Sequence, residues 1–246
     1  MDPLVVDNVV KRFRQGSRDV LALDGVSLTV SSGTFLAVMG ASGSGKSTML
    51  HLAAGLAEPE SGRILVNGTD LVKLSDRQRT LFRRRQIGLI FQAFNLIPTL
   101  SAEENISLPL MLEGSNGRAA AEKVDALLHV MGMVDRRGHR PDALSGGEQQ
   151  RVAIGRALVT EPALILADEP TGNLDAANRK WVCELLRKLS REQGRTIVMV
   201  THEPHVAAYA SEVAILRDGR LVERFANGGA DSDAAELANK YQLAAG

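Results

Sequence analysis

The feature that most constrains this chain is the run Gly40-Ala41-Ser42-Gly43-Ser44-Gly45-Lys46-Ser47-Thr48. It follows an apolar stretch at residues 35–39 and opens a segment, Met49, Leu50, Leu52 and Ala53, with helical apolar spacing. Glycines at such a junction let the backbone curl until successive N–H groups point at phosphate oxygens, and the helix that follows adds its partial positive charge. Lys46 then stands where it neutralises β- and γ-phosphate charge, and Ser47 where its hydroxyl meets Mg²⁺. A strand feeding a phosphate-binding helix commits the chain to an α/β architecture.

A second anchor lies further along. Leu164-Ile165-Leu166-Ala167-Asp168-Glu169 has the length of a buried parallel strand and ends in two adjacent carboxylates. Ligands of open α/β sheets bind beyond the carboxyl ends of the strands. Asp168 is therefore a candidate to hold the magnesium, directly or through water, and Glu169 to orient and deprotonate an attacking water.

Composition narrows the class. At 246 residues, 44% hydrophobic and 24% charged, the chain can bury a core in one large domain or two packed lobes. A formal net charge of +0 argues against a nucleic-acid binder that works through a broad basic surface. The local patch Arg83-Arg84-Arg85 reads as a solvated helix face. The single cysteine, Cys183, excludes an intrachain disulfide and is expected to pack in a helix. Asp2 and Pro3 stand where an export signal carries basic residues, and no apolar run approaches the ~20 residues that span a bilayer. Any membrane crossing is expected from another chain.

Residues 4–10, 26–30 and 35–39 read as antiparallel sheet, with Ser31-Ser32-Gly33 as a tight connection. Asn67-Gly68 marks a hairpin after residues 64–66, because both residues tolerate positive φ. A basic helix is expected over residues 76–86, with Ser75 as N-cap and Gln78 completing a capping box. After a strand at 87–91 the chain turns helical to about residue 156, with a capping box at Ser101 and Glu104 and apolar spacing through Val124, Leu127, Leu128 and Met131. The parallel α/β pattern resumes with strand 163–167, helix 175–193 closed by Gly194, and strands 196–200 and 213–216. Asp218-Gly219 turns the chain back into residues 221–225. Residues 226–246 begin Gly- and Asp-rich and are expected to finish as a short surface helix.

Leu144-Ser145-Gly146-Gly147-Glu148-Gln149-Gln150-Arg151 resembles, almost letter for letter, the signature motif of ABC-type (ATP-binding cassette) ATPases. It stands where that family carries it, between the phosphate loop and the acidic strand. Ser145 is a helix N-cap with Glu148 three residues on, and Gly146 and Gly147 leave the helix N–H groups unobstructed, which makes a second anion site. The resemblance implies that this end binds the γ-phosphate of ATP held by a partner's phosphate loop, hence a head-to-tail homodimer with two ATPs at its interface. The other family positions arrive in order. Gln92 looks like the Q-loop glutamine, which touches Mg²⁺ or the attacking water; His202 resembles the switch histidine; Gly172-Asn173-Leu174-Asp175 occupies the D-loop position. Phe13 sits where an aromatic residue stacks on adenine, keeping the stacking face of the usual tyrosine without its hydroxyl.

The resemblance, which covers about residues 4–225, implies a P-loop NTPase core with a parallel sheet, an N-terminal antiparallel β-subdomain and an inserted α-helical subdomain. The expected boundaries are core at 1–92 and 157–225, helical subdomain at 93–156 and tail at 226–246. The implied enzyme is an ATP hydrolase using ATP and Mg²⁺. Glu169, His202, Gln92 and Lys46 are its catalytic residues, and Ser47, Gln92 and Asp168 its metal ligands. Phe13, the loop Gly40 to Thr48, Ser145, Gly146, Gly147, Glu148 and Asp175 contact nucleotide.

The D-loop sequence and residues 91–105 are similar to the subgroup of macrolide exporters, lipoprotein-release complexes, cell-division transporters and peptide-resistance pumps. That subgroup implies a peripheral subunit on the cytoplasmic face of the cell membrane. Its expected partner is a separate integral-membrane permease, a periplasmic adaptor is a further candidate, and no nucleic acid is expected. In transporters, residues 91–100 would form a groove for a permease coupling helix, although Phe94, Leu96 and Ile97 read equally well as core. Two alternatives stay open: a soluble cassette acting on DNA, ribosomes or cofactor assembly, and a cell-division-type regulatory subunit that moves no cargo.

Overall fold

The computed structural model describes residues 2–16, 18–115, 117–228 and 234–245. The chain opens with β1 (Leu4–Gln15), β2 (Arg18–Val30), β3 (Phe35–Met39) and α1 (Lys46–Ala53). It continues through β4 (Ser61–Val66), β5 (Thr69–Asp70), α2 (Asp76–Gln86) and β6 (Ile87–Ile90). A helical stretch follows: α3 (Ala102–Leu112), α4 (Arg118–Met131) and α5 (Gly146–Leu158). The last part runs β7 (Leu164–Asp168), α6 (Ala176–Gln193), β8 (Thr196–Thr201), α7 (Pro204–Ala207), β9 (Glu212–Arg217), β10 (Arg220–Ala226) and α8 (Ala234–Ala245).

Two sheets result. One is antiparallel, ordered β2-β1-β4-β5; the other is ordered β10-β9-β3-β8-β7-β6, and only its β9–β10 pair is antiparallel. The expectation that residues 35–39 belong to the antiparallel sheet is therefore corrected. β3 lies between β8 and β9 and is parallel to both. All five of its residues are buried, as a strand covered on both faces requires. Phe35, Ala37 and Met39 face a core shared with the helices α3 to α6, while Leu36 and Val38 face a second core shared with β1, β2, β4 and α1. The strand that delivers the phosphate loop is thus gripped from both sides.

Local sequence rules fix most joints. Ser75 and Gln78, Ser101 and Glu104, and Ser145 and Glu148 each form a complete capping box. Asn67 and Gly68 turn with φ of 47° and 77°, and Asp218 and Gly219 with 47° and 75°. Gly194 ends α6 in the left-handed conformation, and Cys183 is buried on that helix.

A further expectation needs correction. Arg83 and Arg84 are half-buried rather than solvated: they donate to the carbonyls of Gly55 and Leu112, where the ends of α1 and α3 leave acceptors unpaired. The C-terminal helix α8 forms on the surface as expected, anchored by the buried Leu237 and packed on α7. Residues 229–233, the Gly- and Asp-rich part of the tail, lie outside the described residues.

Candidate nucleotide and catalytic site

The phosphate loop is held open by its own packing. Gly45 caps α1 at φ 102° with no side-chain capping hydrogen bond among the described residues, and a Cβ there would lie 2.3 Å from the carbonyl oxygen of Ala22. A left-handed, sidechain-free cap leaves the first N–H groups of α1 available to an anion. The loop is braced from behind, since Gly219 N–H donates to the Ser44 carbonyl at 3.1 Å. That brace joins the Asp218-Gly219 turn to the loop, a contact no local sequence pattern announces.

Lys46 is buried, and its ammonium donates to the carbonyls of Gly40 and Ala41, both at 2.9 Å. Burial lowers its pKa, while the carboxylates of Glu169 and Asp168 pull in the opposite direction. This cation sits among oxygens and negative charge at the mouth of a helix dipole. Ser47 Oγ donates to Asp168 Oδ1 at 2.9 Å. A hydroxyl and a carboxylate side by side are the hard oxygen donors that Mg²⁺ prefers, so this pair fits the ion. His51, one helical turn after Ser47 on α1, brings Nε2 to 3.6 Å from Asp168 Oδ2. Its i+4 spacing from Ser47 was the sequence signal for that approach.

Glu169 follows β7 in a left-handed conformation, φ 42°, which non-glycine residues seldom adopt. Its N–H donates to the Val200 carbonyl at 3.1 Å, tying the end of β7 to the end of β8. His202, just beyond β8, places Nδ1 3.1 Å from Glu169 Oε1. Asp168, Glu169, His202, Lys46 and Ser47 therefore meet at the carboxyl ends of neighbouring parallel strands, where an α/β sheet presents its ligand site.

Gln92 is positioned by residues 172 and 173. Its carboxamide rests against Gly172, where an added Cβ would come within 2.6 Å of Nε2, and its carbonyl accepts from Asn173 Nδ2 at 3.1 Å. The residue so joins the D-loop segment to the loop after β6.

At α5, Ser145 Oγ accepts from Glu148 N–H, and the Ser145 N–H donates to Glu148 Oε2 at 2.8 Å. The Ser145 N–H and hydroxyl, both donating to Glu148 Oε2, hold the Glu148 carboxyl below its ordinary pKa. Gly147 is required by proximity, since a Cβ would fall 2.3 Å from the Asn178 side chain, and Gly146 has Phe94 and Asn173 for neighbours. None of these neighbours belongs to the phosphate loop. Asp175 caps α6 by accepting from Asn178 N–H at 2.8 Å, and that bond depresses its pKa. Phe13 is exposed on β1 with the Lys11 ammonium 5.3 Å from its ring centre.

Arg156, near the end of α5, was not singled out by sequence reasoning. It donates to the carbonyls of Phe94 and Asn95, at 2.9 and 2.6 Å, and both of those residues have positive φ. Beside it opens a cavity of about 340 Å³ with Leu89, Phe91, Leu112, Arg83 and Arg84 in its walls. Phe94 and Leu96 pack partly against the core, whereas Ile97 is exposed.

Comparison with known proteins identifies the family. Residues 23–172 match the family model described as ABC transporter. An uncharacterised ABC transporter ATP-binding protein of Mycobacterium tuberculosis is 48% identical over 221 residues, 89% of each chain. The lipoprotein-releasing system ATP-binding protein LolD of Syntrophus aciditrophicus is 43% identical over 217 residues, 88% of this chain and 97% of that one. Among solved structures, a dimeric ATP-binding cassette in a post-hydrolysis state bound to ADP and Pi superposes with a TM-score of 0.85 at 38% identity, covering 92% of this chain and 99% of the other. The chain belongs to the ABC transporter family and is an ATP-binding, ATP-hydrolysing subunit of it.

Proposed function

We propose that this subunit works at the cytoplasmic face of the cell membrane as a homodimer. It energises a separate integral-membrane permease for export or mechanotransmission, with cargo of the lipoprotein, lipid, macrolide or peptide class. The observation that carries the reading is the meeting of Lys46, Ser47, Asp168, Glu169 and His202 around one phosphate loop, with a second anion-binding helix end at Ser145 turned to other neighbours.

ATP enters with adenine against Phe13 and its phosphates in the loop from Gly40 to Thr48. Lys46 turns its ammonium from the loop carbonyls to the β- and γ-phosphates, so the charge gains a partner it was buried to meet. Ser47 and Asp168 would hold Mg²⁺, with Gln92 approaching from its loop; the ion supplies positive charge to the phosphate oxygens. Glu169 accepts a proton from the attacking water, and His202 holds the Glu169 carboxylate and the γ-phosphate in register. The capped N-terminus at Ser145, Gly146 and Gly147 serves the ATP of the partner copy, which makes ATP the glue of a two-fold dimer. The dimeric cassette that superposes on this chain supports that arrangement. No helix among the described residues is long and apolar enough to cross a membrane, which fits a permease on another chain. The cavity beside Phe91 and Arg156 would receive the permease's coupling segment.

Affinity purification from native membranes through a tag on this chain, with mass spectrometry of what co-purifies, tests the reading. Recovery of a multi-spanning permease is expected. Soluble proteins or nucleic acid alone would leave the ATPase and remove the transport role.

A further inference from the structure

Gln150 lies in the middle of α5 and is fully buried. Its Nε2 donates to the carbonyl of Pro170 at 2.5 Å, while its Oε1 is buried with no hydrogen-bond partner among the described residues. A buried acceptor left unsatisfied destabilises the fold, and a side chain that only filled space here would be better apolar. The amide is therefore kept for its donor, and that donor goes to the residue directly after Glu169.

Glu169 needs such help. Its φ of 42° is unfavourable for a non-glycine residue, and the proline that follows restricts it further, toward extended backbone. A conformation disfavoured twice persists only where neighbours over-determine it. Three hydrogen bonds do so: Glu169 N–H to Val200, Gly172 N–H to the Glu169 carbonyl, and Gln150 to Pro170. The first two come from the sheet end and from the turn itself. Only the third of these comes from the helix that begins with the Ser145 cap, and it is made to the proline's own carbonyl, one residue past Glu169.

We propose that Gln150 is a positioning residue for ATP hydrolysis, whose amide fixes the Glu169–Pro170 turn and thereby the direction of the Glu169 carboxylate. The inference rests on Glu169 being the group that takes the proton from water. It ties the signature helix to the backbone one residue after the catalytic carboxylate of the same chain, so that seating the partner's ATP at Ser145 and aiming Glu169 share one rigid element.

The experiment compares ATP hydrolysis, ATP affinity and thermal melting of the full-length wild type with Gln150→Met, Gln150→Glu and Glu169→Gln. Gln150→Met keeps length and removes the donor. Its kcat is expected to fall on the order of tenfold to a hundredfold, part of what a general base contributes, with KM for ATP within about twofold and Tm unchanged or higher. In Gln150→Glu the buried carboxyl is held neutral at lower pH, donates through its O–H, and so retains more activity than the methionine variant until rising pH ionises it. A purely structural residue would give neither that pH profile nor a loss confined to kcat. If Glu169→Gln is inactive while Gln150→Met turns over at the wild-type rate, the role of Gln150 is overturned and that of Glu169 stands. If Glu169→Gln hydrolyses ATP normally, both fall. A Gln150→Met loss that follows a drop in Tm and a rise in KM, or failure of both Gln150 variants to fold, makes Gln150 a core residue and overturns the inference.

Discussion

Ser47 Oγ and Asp168 Oδ1 are joined by a 2.9 Å hydrogen bond, so the first turn of α1 and the end of β7 already converge on one pair of oxygen donors. Asp168→Asn keeps the shape and an acceptor but loses the charge that a small hard cation needs. The Mg²⁺ concentration for half-maximal hydrolysis is expected to rise by at least the roughly 10–100-fold that even outer-shell partners contribute. Titration of Mg²⁺ at saturating ATP measures it. An unchanged midpoint removes Asp168 from the metal site.

Lys46 gives a pH dependence with a defined sign. Its pKa in the folded chain is lowered from 10.5, chiefly by burial. Between that lowered value and 10.5 the unfolded chain binds more protons than the folded one, so stability rises with pH across that window. In nucleotide-free melts, the Tm of wild type relative to Lys46→Met is expected to climb as pH approaches 10.5. A flat difference contradicts the buried charge. Lys46→Met is also expected to lose hydrolysis on the order of 100-fold, the effect of removing one electrostatic stabiliser of a transition state.

Gly45→Ala sets a methyl 2.3 Å from the Ala22 carbonyl at a φ of 102°. The backbone strain alone costs ~1–3 kcal/mol, and a Tm drop of at least several degrees is expected. ATP binding should weaken with it, because relief of the clash moves the N–H groups that face the phosphates. Melting curves with and without ATP separate the two losses.

Phe13 is exposed, so its truncation should leave Tm nearly unchanged. Loss of stacking worth ~0.5–1.5 kcal/mol predicts a KM for ATP raised about 2- to 12-fold in Phe13→Ala and restored in Phe13→Tyr. Equal KM in all three chains would place adenine elsewhere.

Much of this was legible in the sequence because its signals are local. The capping boxes at Ser75, Ser101 and Ser145 and the turns at Asn67-Gly68 and Asp218-Gly219 depend on residues within a few positions of one another, and each formed where it was read. The partnership of residues 35–39 was not legible. A wholly apolar run looks the same beside an antiparallel neighbour as between β8 and β9, and the choice is made by distant strands. At the site, the phosphate loop and the acidic pair announce themselves as contiguous motifs. Gln150, Arg156 and the left-handed turn of Glu169 act across 20, 61 or 62 residues, or through backbone conformation, which no spacing rule reports. The half-burial of Arg83 and Arg84 was hidden for the same reason: their acceptors are carbonyls at the ends of other helices.

One measurement bears on the whole mechanism at once: light scattering of purified Glu169→Gln with saturating ATP and Mg²⁺, alongside its rate of phosphate release. The variant should bind ATP, convert from monomer to a stable dimer and release almost no phosphate, because the helix ends at Ser145 close over ATP that cannot be cleaved. A chain that stays monomeric with ATP bound, or that hydrolyses at nearly the wild-type rate, would contradict both the shared interface and the role of Glu169.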